Sequence, residues 1–337
     1  MALVLRALID AAGQGGSFRK RKVEALVRRI YGLFMVFLAW GGACNYVAAA
    51  DPIHIVVMIE PQRYFVQQLG GDHVAVTVLV PPGADAHTFE PKPQVLIQAS
   101  QARVYVAMGI PEEEAWLPRL KAIRPDIPLV HQDQGISKMP METRDEIHRQ
   151  QPSSAARTSH GGHPEADHHH HQGMDPHIWL SPKLARIQAE TIGRALCSVD
   201  PAKTGDYEMR LGVFQQRIDD LDQRLTKVFD HLRKHRSFLV VHPSWGYFAR
   251  DYHLKQIPLE IEGKEPTAAD LVNVVRRTAA ESIPVILVEP QFSQRFARLV
   301  AQESGIRMMV ADPLAFDWEA NLWEVGQRLA DHLSQQP

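Results

Sequence analysis

Short apolar runs alternate with helix-periodic stretches twice along this chain, and one long apolar stripe separates the two series. From Asp51, IHIVVMI (53–59), HVAVTVLV (73–80), ARVYVAM (102–108) and IPLVH read as strands. Between them PQRYFVQQLG, closed by Gly70, then PKPQVLIQAS and EEEAWLPRLKAI carry helical patterns, and Pro81-Pro82-Gly83 stops the second strand. Alternation of this kind argues for a parallel sheet with helices on its faces. SPKLARIQAETIGRALCSVD then reads as a helix with Ser181 as N-cap and Pro182 at the first helical position. Beyond it Tyr207, Leu211, Phe214, Ile218, Leu221, Leu225, Val228 and Leu232 recur at steps of four and three. A helix over that span is roughly 40 Å long at 1.5 Å per residue. It reads as one arm of a bundle or as a spine between two lobes. The spine is favoured because strand–helix alternation resumes directly after it.

The second series runs SFLVVH (237–242), a helix near SWGYFARDY, LKQIPLEI, a helix from Thr267, PVILVEP (284–290), a helix from Ser293, RMMVADP (307–313) and a last helix near 318–334. The expected fold is therefore α/β: two lobes, each with a mostly parallel four-stranded sheet flanked by helices, joined by one long rigid helix. The expected divisions are an export segment at 1–50, an N-terminal lobe at 51–202, a linking helix at 203–235 and a C-terminal lobe at 236–337. With 337 residues, 45% hydrophobic content and a net charge of −2, the chain has room for two domains and no basic stripe for nucleic acid.

Arg28 and Arg29 precede the apolar run IYGLFMVFLAW at 30–40, which suits a signal h-region and is short for a bilayer span. Ala48-Ala49-Ala50 offers a cleavage site before Asp51, so the chain is expected outside the cytoplasm. Val23 is a candidate for the true start. Cys44 invites a lipoprotein reading, but WGGAC lacks the usual apolar residue three before the cysteine. Cleavage at Asp51 leaves only Cys197, so no intramolecular disulfide is expected, and Cys197 reads as a small buried apolar residue.

The one compositional anomaly is histidine. Of 17 histidines, seven fall between His148 and His171. His160, His163, His168, His169, His170 and His171 lie in a polar loop at about 132–174, without apolar periodicity, that is expected to be disordered over much of 148–172. Such a tract reads as an accessory metal collector or as a solvated linker. DPHIWLSP differs, because His177 is fixed between a proline and an apolar pair.

In open parallel sheets ligands bind outside the carboxyl ends of the strands. Four candidate metal ligands follow strands at that edge: His87 in PPGADAHTFEP, His177, His242 in VVHPSWGYF and Asp312 in ADPL. Two belong to each expected lobe. Three imidazoles and one carboxylate suit tetrahedral Zn²⁺, whereas Mn²⁺ or Mg²⁺ takes more oxygen. Glu60, Glu289 or a water compete for the fourth position, and Asp175 reads as a supporting acceptor or a cap. Trp179, Trp245, Tyr247 and Phe248 read as core or cleft wall. A zinc hydrolase, with Glu60 or Glu90 as base and an open metal position, is the reading from another class. The chain has no HExxH pair to support it.

GADAHTFEP, DPHIWLSP, HPSWGYF and ADPL, in that order and with a histidine-rich insertion before the second, resemble the periplasmic zinc-binding proteins of ABC-type importers. VAMGIPEEEAWLPRL and EGKEPTAADL are similar to that family too, and the resemblance covers about residues 53–335. It implies two α/β lobes on one long helix, zinc held between them by His87, His177, His242 and Asp312, and no catalysis. It also implies delivery of zinc to a membrane permease and its ATPase by a monomeric binding protein. Manganese and iron relatives, and adhesins on the same fold, are the near alternatives; His242, where the manganese and iron relatives tend to have a glutamate, favours zinc. The chain departs from the family pattern at Ala86, where a proline is usual, and in DPLAFDW, which lacks the usual glycine.

Overall fold

The computed structural model describes residues 51–141, 173–232, 235–259 and 267–335. The expected export segment with Cys44, and the tract from His160 to His171 with the disorder expected there, lie outside the described residues.

Two four-stranded sheets carry the fold, and every strand pairing in them is parallel. The first has the order β2-β1-β3-β4, built from β1 (Ile53–Val57), β2 (Val74–Val78), β3 (Val104–Ala107) and β4 (Leu129–His131). The second repeats that order as β6-β5-β7-β8, from β5 (Ser237–Val240), β6 (Lys255–Pro258), β7 (Val285–Val288) and β8 (Arg307–Val310). Strands covered on both faces read as continuous apolar runs. Accordingly β3 and β7 are buried at every residue, while the edge strand β2 alternates.

The helices begin where the sequence stiffens the chain. α1 (Glu60–Gly70), α2 (Pro93–Ala99), α3 (Pro111–Ile123) and α4 (Pro182–Val199) each carry a proline in the first two positions. There the missing N–H costs nothing and the fixed φ favours the first turn. Ser181 caps α4 as expected, its Oγ accepting from the Leu184 N–H at 3.1 Å.

α5 (Thr204–Asp230) is the long helix, 27 residues and so about 40 Å in length. Tyr207, Phe214, Ile218, Leu221, Leu225 and Phe229 form its buried stripe, while Leu211 and Val228 are partly buried. The stripe packs on α1 and α4 from the first half and on α9 (Trp318–Ser334) from the second. α9 approaches closely because Gly326 has no side chain: a Cβ there would lie 2.2 Å from Leu225 Cδ2. At the N-terminal end of α9, Trp318 inserts edge-on against Phe65, with centroids 5.1 Å apart, beside Phe214 and Tyr64. Each such side chain contributes roughly 1.5–3 kcal/mol by leaving water. One apolar core therefore runs through both halves. A smaller one lies between the second sheet and α7 (Ala268–Ala280) and α8 (Arg295–Ser304). Cys197 is a free thiol, only partly buried at the margin of the main core rather than inside it.

Candidate metal centre

The carboxyl edges of the two sheets face a common cleft, and three loops there carry its histidines. In the loop after β2, the His87 N–H donates to Asp85 Oδ1 at 2.9 Å and the Thr88 hydroxyl donates to Asp85 Oδ2 at 3.2 Å. His177 opens a 3₁₀ turn (Ile178–Leu180) directly after Pro176. His242 follows β5, with Pro243 next in sequence, and its ring stacks on Phe292 at 4.9 Å and 24°. Each imidazole is thus aimed by a short stiff segment.

The three rings converge. His87, His177 and His242 each offer a nitrogen within 4.8 Å of the other two. The Nε2 atoms of His87 and His177 are 3.3 Å apart. Tetrahedral zinc with bonds of about 2.0 Å places its ligand atoms about 3.3 Å from one another. The donor set and its spacing therefore fit a zinc ion.

The structure does not bring the fourth expected residue into this group. Asp312 Oδ1 accepts from Gln291 Nε2 at 2.7 Å and from the Leu314 N–H at 2.9 Å, so the carboxylate closes its own turn. Glu60 pairs with Arg63 at 2.7 Å. Glu289 is fully buried and accepts from the Ser244 hydroxyl. Neither glutamate joins the three histidines among the described residues.

Two carboxylates stand behind the rings. Asp175 Oδ1 accepts from both the backbone N–H (2.9 Å) and Nδ1–H (2.8 Å) of His177, which leaves Nε2 as the free ligand atom. Burial pushes the Asp175 carboxyl up to about 7, and burial, then the neighbouring His242 and His87, holds His177 well below the usual imidazole range. His177 is therefore held neutral, the form in which an imidazole can bind a metal. Gly246 lets α6 (Gly246–Asp251) come close to Asp175: a Cβ there would sit 2.9 Å from Asp175 Oδ2. The second carboxylate, Glu112, lies with Oε1 3.7 Å from His87 Nδ1, and His87 holds it below the usual carboxylate range. Sequence reasoning anticipated Asp175, two residues from its histidine. It missed Glu112, whose only signal is the acidic run at the start of α3.

The walls are apolar. Met108, Trp179, Phe292, Pro313 and Leu314 line a cavity of ≈ 20 Å³ beside the histidines. That is room for about one water-sized occupant. Hydrogen bonds tie the two halves around it: Trp179 Nε1–H donates to the Pro313 carbonyl (2.7 Å), Trp318 Nε1–H to the Trp179 carbonyl (2.6 Å) and the Tyr247 hydroxyl to the Asp175 carbonyl (2.9 Å). Trp245, Tyr247 and Phe248 are fully buried, as core residues should be.

Comparison with known proteins agrees with this geometry. The chain matches the family model for the zinc-uptake complex component A, periplasmic (ZnuA), over residues 55–326. A protein of Treponema pallidum (strain Nichols) is 31% identical over 280 residues, covering 80% of this chain and 83% of its own. The high-affinity zinc uptake system protein ZnuA of Bacillus subtilis (strain 168) is 27% identical over 288 residues, covering 83% of this chain and 85% of its own. The chain spans only 55% of the zinc-binding lipoprotein AdcA of Streptococcus pneumoniae, at 27% identity. Among solved structures, a zinc-bound ZnuA deletion mutant is 39% identical and superposes with a TM-score of 0.73, over 85% of this chain and all of its own. With a match over most of its length, the chain belongs to the periplasmic zinc-uptake component A family of zinc-binding solute-binding proteins.

Proposed function

We propose that this chain captures Zn²⁺ outside the cytoplasm and delivers it to an ABC-type permease driven by a cytoplasmic ATPase. The observation that carries this reading is the convergence of His87, His177 and His242 within 4.8 Å of one another in an apolar cleft. Zinc is the cargo, and the three imidazoles are its ligands. No covalent step is needed: binding draws on ligand bonds in a partly dehydrated site. The uptake system to which the Bacillus subtilis relative belongs supports the transport role. Residues 1–50 act as an export segment, and the tract from His160 to His171 is accessory to the cleft. The protein works as a monomer.

The competing hydrolase reading has less behind it: neither nominated base joins the three histidines among the described residues, Glu60 pairing with Arg63 at 2.7 Å and Glu90 with Arg119 at 3.0 Å.

The test is zinc uptake by cells lacking this chain, grown with zinc held scarce by a chelator. The expected result is slowed uptake that the wild-type chain restores and His177→Ala does not. Uptake unchanged by loss of the chain would refute the transport role.

A further inference from the structure

We propose that Glu112 is a positioning residue for zinc capture: it turns the His87 ring so that Nε2 faces the ion, as Asp175 does for His177. The inference rests on the reading of the three histidines as zinc ligands. The two nitrogens of His87 face opposite ways. Nε2 lies 3.3 Å from His177 Nε2, on the side where the rings converge, and Nδ1 lies 3.7 Å from Glu112 Oε1. Metal on Nε2 leaves the proton on Nδ1 and makes it a stronger donor, and a carboxylate is the acceptor that best holds it.

The backbone around both residues is already fixed. Asp85 holds the His87 N–H, so ring rotation is the freedom that remains to His87. Glu112 stands in the first turn of α3, where the helix dipole favours negative charge. Its neighbour Glu113 anchors that turn, accepting from the Gly109 N–H at 2.8 Å and from the Tyr105 hydroxyl. The second oxygen of Glu112, Oε2, is enclosed and has no hydrogen-bond partner among the described residues. Glu113 thus does the structural work, and Glu112 is left to face the histidine.

The two carboxylate–histidine pairs differ in exposure. Side-chain exposure is 25% for His87 and 33% for Glu112, against 4% for His177 and 1% for Asp175. The His87 pair is the more exposed of these two carboxylate–histidine pairs and so the one nearer to solvent.

The experiment measures zinc affinity and dissociation on the full chain by competition with a tight fluorescent chelator, for wild type, Glu112→Ala and Glu112→Gln. Melting temperature without zinc is recorded beside it. Loss of an outer partner of a metal-ligating histidine costs about 10–100-fold in affinity. We expect about tenfold or more for the alanine variant, carried mostly by faster dissociation. The glutamine variant should fall between, because its amide oxygen still accepts from Nδ1–H. Both should melt within about 2 °C of wild type without zinc, because Glu113, not Glu112, anchors the start of α3. Wild-type affinity in both variants would overturn the proposal. So would equal losses that track a fall in melting temperature, which would mark Glu112 as structural. A wild-type chain that holds no zinc tightly would overturn this proposal and the zinc-capture reading together.

Discussion

Replacing Asp175 with asparagine separates the charge of this residue from its hydrogen bonds. Oδ1 accepts both bonds from His177, and Oδ2 has no hydrogen-bond partner among the described residues. An asparagine keeps both bonds through its amide oxygen and places its NH₂ where Oδ2 was. The charge goes, and two N–H donors enter a spot where Oδ2 has no hydrogen-bond partner among the described residues. Hydrogen bonds to ionised groups contribute about 1.5–3 kcal/mol and neutral ones about 0.5–1.5. The zinc-loaded site should therefore lose about 1–1.5 kcal/mol, or roughly tenfold in affinity. Asp175→Ala removes the anchor entirely and should cost nearer 100-fold. The protein without zinc moves the other way. Burial raises the Asp175 carboxyl from 3.8 to about 7, so the folded state binds that proton more tightly than the unfolded chain. Stability from this group is thus fully present below 3.8 and falls as pH rises through 7. At pH 8 the ionised carboxylate opposes folding, so the melting temperature of wild type relative to Asp175→Asn should be lower at pH 8 than at pH 5. The assay is chelator competition for affinity, with thermal melts in the presence and absence of zinc. Weaker binding should reduce the zinc-induced rise in melting temperature by about 2–4 °C. Unchanged affinity in Asp175→Asn would refute the reasoning, as would a metal-free melting-temperature difference from wild type that is the same at pH 5 and pH 8.

Glu113 gives a second pH dependence, away from the ligands. Burial pushes it from 4.5 up to about 7, so folding stability should fall as pH rises from 4.5 through 7, by about 3 kcal/mol at 1.36 kcal/mol per pH unit. In urea unfolding at pH 5 and pH 8, Glu113→Gln should lack that part of the decline; parallel declines would contradict it. Gly246→Ala should cost about 1–3 kcal/mol and weaken zinc binding. Its methyl would sit 2.9 Å from both Asp175 Oδ2 and Gln256 Nε2, and hydrogen bonds hold both side chains in place. Equal stability and affinity would show that the helix shifts freely.

The fold was largely legible because its signals are local. The strand series, the proline-started helices and the stripe from Tyr207 to Leu225 all depend on spacing along the chain, and the structure reproduces them within a few residues. The site was legible in part. His87, His177 and His242 follow strand ends, and parallel topology brings strand ends together. Asp312 also follows a strand end, but an aspartate before proline can close its own turn, and here it accepts from the Leu314 N–H. Position on the edge was readable; that Gln291 and the Leu314 N–H would take Asp312 Oδ1 was not. Glu112 and Glu113 make the same point. They are adjacent in one acidic run, yet the phase of α3 sends one to His87 and the other to Tyr105. Asp175 was readable because it contacts a histidine two residues away, through a bond that local geometry alone can make.

The most direct measurement is zinc stoichiometry, by elemental analysis, on protein beginning at Asp51 with residues 148–172 removed, beside the same protein carrying His177→Ala. One tightly held zinc in the first and little in the second is the result that capture by His87, His177 and His242 requires. Equal zinc in both, or none in either, would contradict it and would move any tight binding to the histidine tract or out of the chain.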